Sequence, residues 1–263
     1  MCTATLQKIG CCGFPDGMNR YFRQFKVAEV QTTFYDLPRI ETARNWRRKA
    51  PKGFEFTVKA WQGITHPPTM PTWRRTRTKV SPDKQECYGF FRPTEEVFEA
   101  WNQTREMCEA LEASVCLMQC PARFDVSEAN LSNMRRFFSE IDRGGITMAW
   151  EPRGPTWTGE LTESLCRELN LILCVDPFAK PIPTFEEVIY LRLHGKPPGE
   201  RLYHYRYSDE DLKLLKAWIQ SLNPERRIYC LFNNITMRED AKRFIAMIQS
   251  GSASSLDYPS ADP

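Results

Sequence analysis

The feature that most constrains this chain is an alternation. Eight short runs rich in β-branched and apolar residues recur along it: Lys8–Phe14, Val27–Tyr35, Phe54–Ala60, Ser114–Pro121, Ile146–Arg153, Leu171–Asp176, Val188–Gly195 and Arg227–Asn234. They are separated mostly by segments of helical period. Strands that alternate with helices build βαβ units, and successive βαβ units build a parallel sheet. Eight such strands either close into a barrel or remain an open, doubly wound sheet. The open sheet commonly carries G-x-G-x-x-G after its first strand. That motif is absent, and Gly195-Lys196 has neither the upstream spacing nor the following hydroxyl of a P-loop. The expected fold is therefore a single (β/α)8 TIM-type barrel over residues 1–250, with 251–263 as a flexible C-terminal tail. A chain of 263 residues, 41% hydrophobic, can bury the core this needs and is too apolar for a disordered polymer.

The helical segments announce their ends. Thr94-Glu-Glu-Val97 opens one that runs to about Ala113, and Ser127-Glu-Ala-Asn130 opens another, stopped by Gly144-Gly145. Ser208 followed by Asp209, Glu210 and Asp211 places a capping hydroxyl and three acids at the positive end of a helix dipole. Leu212, Leu215, Trp218 and Ile219 then recur at helical spacing, as do Ala241, Phe244, Ile245 and Ile248 in the last helix. Two connections depart from the pattern. Pro177–Glu187 holds three prolines and has little room for a helix. After the third strand comes a stretch of Pro, Trp and Arg too long for an ordinary loop.

Lys plus Arg number 36 and Asp plus Glu 33, so the net charge of +3 does not itself call for a nucleic-acid or membrane partner. No apolar run approaches the roughly 18 residues of a membrane span. The first ten residues lack a basic region followed by an apolar stretch, so no secretory signal is expected and the cytoplasm is the expected location. Ten cysteines without an export signal read as reduced thiols, mostly buried in the strand runs.

Function is expected where the strands end. Almost every run finishes in polar or ionisable residues: Cys11-Cys12, Glu29 and Gln31, Lys59, Gln119, Glu151 and Arg153, Asp176, Arg192 and His194, Asn233-Asn234. Strand residues two apart share a face. The outer face of the sheet lies under apolar helices, where an unpaired charge costs several kcal/mol, so these side chains are expected to enter the barrel mouth. Barrel active sites form at that carboxyl end. In the expected site Glu151 is the general base, His194 the acid, and Glu29 fixes Lys59 or an arginine. Lys59, Arg153 and Arg192 hold a small anionic or phosphorylated ligand. Gln119, Asn233 and Asn234 orient it, and His66 lies on a loop above. Hydrolysis and isomerisation both suit this set. A divalent metal on Glu29, Glu151, Asp176 and His194 is a further option, although no H-E-x-x-H or Cys/His spacing supports it.

Two other readings compete. The segment Trp73–Lys79 carries Arg74, Arg75, Arg77 and Lys79, which would track a nucleic-acid backbone while bases stack on Trp61 or Trp73. A barrel that binds a ligand without turning it over would use the same mouth. The aromatic cluster Tyr203-His-Tyr-Arg-Tyr207 serves either packing or the stacking of a planar substrate.

The strand ends also carry a family resemblance. Ile9-Gly-Cys-Cys-Gly-Phe14, Ala28-Glu-Val-Gln-Thr-Thr-Phe-Tyr35, Phe54–Ala60 with Ile64-Thr-His66, Gln119-Cys-Pro121, Glu151-Pro-Arg153 with Trp157, Leu191-Arg-Leu-His-Gly195, Tyr207-Ser-Asp209 and Phe232-Asn-Asn234 occur in order over about residues 8–250. As an ordered set they resemble the DUF72 (YecE-like) family. The resemblance implies a TIM-type barrel and a pocket at its carboxyl end, and no particular reaction. The family pattern has Thr-Ser where Cys11-Cys12 stand, Asn for Gln31 and an aromatic residue for Pro152. A hydroxyl role at the first strand is therefore not available here.

Overall fold

All eight apolar runs contain a strand, and the strands close on themselves. In the computed structural model, which describes residues 7–196 and 202–251, β1 (Gln7–Cys12), β2 (Val27–Val30), β3 (Glu55–Lys59), β4 (Val115–Gln119), β5 (Thr147–Glu151), β6 (Ile172–Val175), β7 (Val188–Leu193) and β8 (Arg227–Phe232) form a closed barrel in sequence order. Every neighbouring pair is parallel, and β8 returns to β1 with Gln7 opposite Ile228 and Cys11 opposite Phe232. Beyond Gly251 the expected tail lies outside the described residues.

Between strands lie α1 (Met18–Tyr21), α2 (Ile40–Lys49), α3 (Glu95–Leu111), α4 (Glu128–Glu140), α5 (Gly159–Leu169), α6 (Asp209–Gln220) and α7 (Met237–Gly251). Their starts follow capping chemistry. The hydroxyls of Thr94, Ser127 and Thr158 accept from the backbone of Val97, Asn130 and Leu161. Ser208 does so from Asp211, whose carboxylate reaches back to the Ser208 amide at 3.0 Å, completing a capping box. The end of α4 differs from expectation. It stops at Glu140 because Ile141 is already extended, and Gly144-Gly145, both at positive φ, make the turn into β5 instead.

The strands are shorter than the runs that announced them. The largest difference is at Val27–Tyr35, where pairing ends at Val30 and Thr32–Phe34 turn into a 3-10 helix. The buried Thr33 hydroxyl bridges the carbonyls of Val30 (2.9 Å) and Lys59 (2.7 Å), and this fastens the turn across β2 and β3. Gln31 is thus off the strand and does not share a face with Glu29.

The connection from β6 to β7 contains no helix, as its prolines imply. The long segment after β3 is ordered instead by its own ladder. The Gly89 amide donates to Gly63 O (2.8 Å) and the Phe91 amide to Ile64 O (3.0 Å), folding the segment back on itself. Trp61, Trp73 and Tyr88 pack in the fold, with ring centroids 5.7 to 6.0 Å apart. Gly89 has φ +78°, and a Cβ there would lie 2.3 Å from the Pro67 nitrogen.

One apolar layer lies between barrel and helices; a second fills the barrel with Val27, Leu117, Ala149, Tyr190, Tyr229 and Leu231 among others. At the amino end, the interior is closed by Tyr229, which donates to Glu55 (2.8 Å), itself paired with Lys8 at 2.9 Å. The nine described cysteines are all free. Cys87 is half-buried and the other eight are buried. No helix among the described residues is long and apolar enough to cross a membrane.

Candidate active site at the carboxyl end of the barrel

At the other end the charges expected to converge do so. Arg192, near the end of β7, is wholly buried. Its guanidinium donates to Glu29 on β2 at 3.0 Å and makes a very short contact with Glu151 on β5. Arg153, two residues beyond Glu151, folds back so that its Nε donates to the other Glu151 oxygen at 2.8 Å. Tyr190 completes the base of the network, donating to Glu29 at 2.9 Å with Thr57 within 2.7 Å of the same hydroxyl. Charges this deep are tolerated only when paired and hydrogen-bonded.

His194 is held from both sides. Its Nε2 lies 3.1 Å from an Arg153 nitrogen, and a guanidinium can only donate, so Nε2 is an acceptor. The ring proton therefore sits on Nδ1 and faces Asp176 Oδ2 at 3.2 Å. The same oxygen accepts from the His194 amide at 2.8 Å, and Asp176 Oδ1 accepts from Phe178. Asp176 thus orients His194. Burial lowers the His194 pKa against the opposing bond from Asp176, which keeps the ring uncharged at neutral pH.

These contacts correct several expected roles. Burial raises the Glu151 pKa, but Arg153, Arg192, His194 and Lys59 outweigh it and hold the carboxyl well below its usual range. A carboxylate stabilised this strongly accepts a proton poorly, so Glu151 is a weak general base. His194, uncharged with both nitrogens engaged, has no proton free for a substrate. Arg192 is committed to Glu29 and Glu151 and is sealed from solvent, so it supports the carboxylates rather than a ligand. Asn234 donates to Tyr205 O and Asp240, each at 2.7 Å, and thereby ties the end of β8 to α7. The Glu29 oxygens face Arg192 and Tyr190, and the Glu151 oxygens face Arg153 and Arg192. Among the described residues no three of His, Cys, Asp and Glu are grouped to hold a metal ion, so the expected metal set is not assembled.

What remains turned toward the mouth is a smaller set. Lys59, the last residue of β3, is 7% exposed, with its ammonium 3.7 Å from the centroid of the Phe34 ring. Among the described residues no carboxylate lies within 4 Å of it, although every other buried charge of the cluster is paired. Burial, then Arg192, push the Lys59 pKa down to about 7, with Glu29 and Glu151 opposing. Arg153 keeps a partly exposed edge, where its Nη1 donates to the hydroxyl of Tyr203 at 3.2 Å. Gln119 is half-buried at the end of β4, and Gln31 donates to Asn233 at 3.2 Å. His66 lies beside this group, its ring edge against Phe34 at 4.9 Å and its Nδ1 2.8 Å from the Thr65 hydroxyl. Burial, then Lys59 and Arg153, lower its pKa to about 3, so it too is uncharged.

Two contributors were not anticipated. Tyr190 stands two residues before Arg192 on one strand face, a spacing that could have revealed it. Phe34 lies beyond β2 in a turn, and nothing in the local sequence brings it to Lys59.

The nucleic-acid reading loses its stacking platform, because Trp61 and Trp73 are buried. Of the basic residues, Arg75 lies over the Tyr35 ring and donates to its hydroxyl (2.7 Å), while Arg74, Arg77 and Lys79 are exposed. In the aromatic cluster, Tyr207 is buried and accepts from the Gly195 amide, Tyr205 donates to Asp211, and Tyr203 and His204 are exposed. A cavity of about 560 Å³ lies beside the long segment after β3, lined by Asp36, Trp61, Tyr88 and Glu99 among others, away from the charge cluster.

Comparison with known proteins agrees with the geometry. A family model described as "Protein of unknown function DUF72" matches residues 13–260. The chain is 25% identical over 244 residues to the UPF0759 protein YunF of Bacillus subtilis, covering 82% of this chain and 80% of that one. A DUF72 family protein from Thermotoga maritima superposes with a TM-score of 0.69 at 22% identity, covering 93% of this chain and 99% of that one. A xylose isomerase domain containing protein from Salmonella typhimurium does so at 0.59 and 16%, covering 94% and 96%.

Proposed function

We propose, from the premise that this chain belongs to the DUF72 family, that it is an enzyme which binds a small anionic or phosphorylated substrate at the carboxyl end of the barrel and moves a proton on it. The reaction class is isomerisation or epimerisation beside a carbonyl. The observation that carries this reading is Lys59: a buried amine at the end of a barrel strand, with no acidic partner within 4 Å among the described residues. Such a group is costly unless something outside the chain meets it. With its pKa down to about 7, Lys59 has both protonation states available near neutrality, which suits a proton acceptor. Arg153, anchored by Glu151 yet partly exposed, is placed to hold the anionic group. Glu151 and His194 serve as positioning residues that fix Arg153, with Arg192, Glu29 and Asp176 holding those two in turn. Gln119 and Asn233 supply neutral polar contacts. Fold likeness alone does not assign a reaction. That one barrel neighbour is named for a xylose isomerase domain is consistent with isomerisation over hydrolysis.

The test is isotope exchange. The full chain is incubated in deuterium oxide with a panel of aldose and ketose phosphates and their unphosphorylated counterparts, and nuclear magnetic resonance follows the carbon next to the carbonyl. Deuterium should enter at least one phosphorylated compound, and Lys59→Met should slow this by about a hundredfold or more. The absence of both exchange and a thermal shift with every compound in the panel overturns the proposal.

A further inference from the structure

We infer that Lys59 is the nucleophile of covalent catalysis: its amine condenses with the carbonyl of the substrate to form a Schiff base. The inference rests on the proposed reading for where the substrate sits, and goes beyond it in making Lys59 bond to carbon rather than only to a proton.

Four observations point to it. The Lys59 ammonium is buried at the end of a strand on the barrel's active face. It has no carboxylate within 4 Å among the described residues, so none of these locks it in the charged form by direct pairing. Its carbonyl is gripped by the Thr33 hydroxyl at 2.7 Å, and the Phe34 ring supports the amine from one side at 3.7 Å. The backbone of Lys59 is therefore held, and its ammonium rests against an aromatic face. Finally, burial and then Arg192 favour the uncharged amine, which is the nucleophilic form, with Glu29 and Glu151 opposing. Lysines that form Schiff bases are activated in this way, by desolvation and by neighbouring cations.

The chemistry closes without a further reactant. The Nζ lone pair attacks the carbonyl carbon, and the carbonyl oxygen gains a proton. The resulting carbinolamine takes a second proton from solvent and loses that oxygen as water, leaving an iminium with a carbon–nitrogen double bond. The iminium draws electrons from the adjacent carbon, so a proton leaves there to solvent and returns on either face. Water then adds back and releases the amine and the carbonyl compound. The substrate class is a small hydroxy-aldehyde or hydroxy-ketone whose anionic group reaches Arg153.

The experiment is reductive trapping. The full chain is incubated near pH 7 with D-glyceraldehyde 3-phosphate and cyanoborohydride, and the modified lysine is located by peptide mass mapping. A lysine whose pKa is depressed to about 7 holds on the order of a thousandfold more free amine than an ordinary surface lysine. Lys59 should accordingly be labelled at least about tenfold more than any other lysine. Lys59→Met, which keeps an apolar stem against Phe34, should fold, as judged by circular dichroism, and should lose the dominant adduct. Unphosphorylated glyceraldehyde should label Lys59 less. Labelling spread over surface lysines, or a dominant adduct that survives in Lys59→Met, overturns the inference. Deuterium exchange without trapping at Lys59 leaves the proton-transfer reading standing and removes the Schiff base. Equal labelling by both aldehydes keeps the Schiff base and removes the anion-binding part of the reading.

Discussion

At the scale of single residues, the site is governed by how each charge is satisfied. Glu151, Glu29, Arg153 and Arg192 satisfy one another, while Lys59 is left to an aromatic face. This has a consequence for stability. In the unfolded chain Lys59 titrates near the ordinary lysine value, and in the folded chain near 7. Between those values the unfolded state binds the extra proton, so the Lys59 contribution to stability rises with pH from about 7 to about 10.5. Below that window the folded state bears the full cost of charging a buried amine. Wild type minus Lys59→Met, followed by urea unfolding at a series of pH values, should show this as a positive slope of at most about 1.4 kcal/mol per pH unit. A difference that is flat across pH 7–10 would mean that the amine is charged and satisfied when folded. The identities of these residues were legible in the sequence because strand ends of a parallel barrel share one rim. Their roles were not. Whether a carboxylate meets a substrate or an arginine depends on side chains from β2, β5 and β7 arriving at one point, and no local pattern encodes that.

At the scale of elements, hydrophobic alternation placed every strand, and capping residues placed the starts of α3, α4 and α6. Ends were harder to read. The run Val27–Tyr35 reads as one continuous strand, yet the chain turns after Val30, where the Thr33 hydroxyl meets two carbonyls in the turn. The segment after β3 looked like an irregular loop of unusual length. Its order comes from a backbone ladder centred on Gly63 and Gly89 and from the packing of three aromatic rings, both of which are long-range. Gly89→Ala should therefore be costly, since the new methyl group meets backbone at 2.3 Å in a left-handed conformation. A loss of about 2 kcal/mol or more, with faster proteolysis in the stretch from Trp73 to Tyr88, is the expected outcome. Unchanged denaturant midpoints and cleavage rates would show that this ladder does not order the segment.

On the scale of the whole molecule, closure of the barrel explains why both ends are polar and the middle is not. Eight strands leave room inside for side chains alone. The ionisable residues gather at the two rims, around Glu55 and Lys8 at one and Glu151 and Arg192 at the other. The closed ring was foreseeable from eight strands without a dinucleotide motif. That the acidic and basic side chains at the mouth would pair mostly with one another required the register of all eight strands. The same closure bears on the thiols. Burial pushes Cys11 up to about 12 and raises Cys12 and Cys174 well above the ordinary thiol value. A sulfur so placed reacts with a disulfide reagent only after the wall around it opens. In the region described here, Cys87 should modify at once and the eight enclosed cysteines together, at the rate of global opening. Staggered modification would indicate that parts of the ring open separately. The chain thus carries its own clock for unfolding, legible in the colour that such a reagent releases.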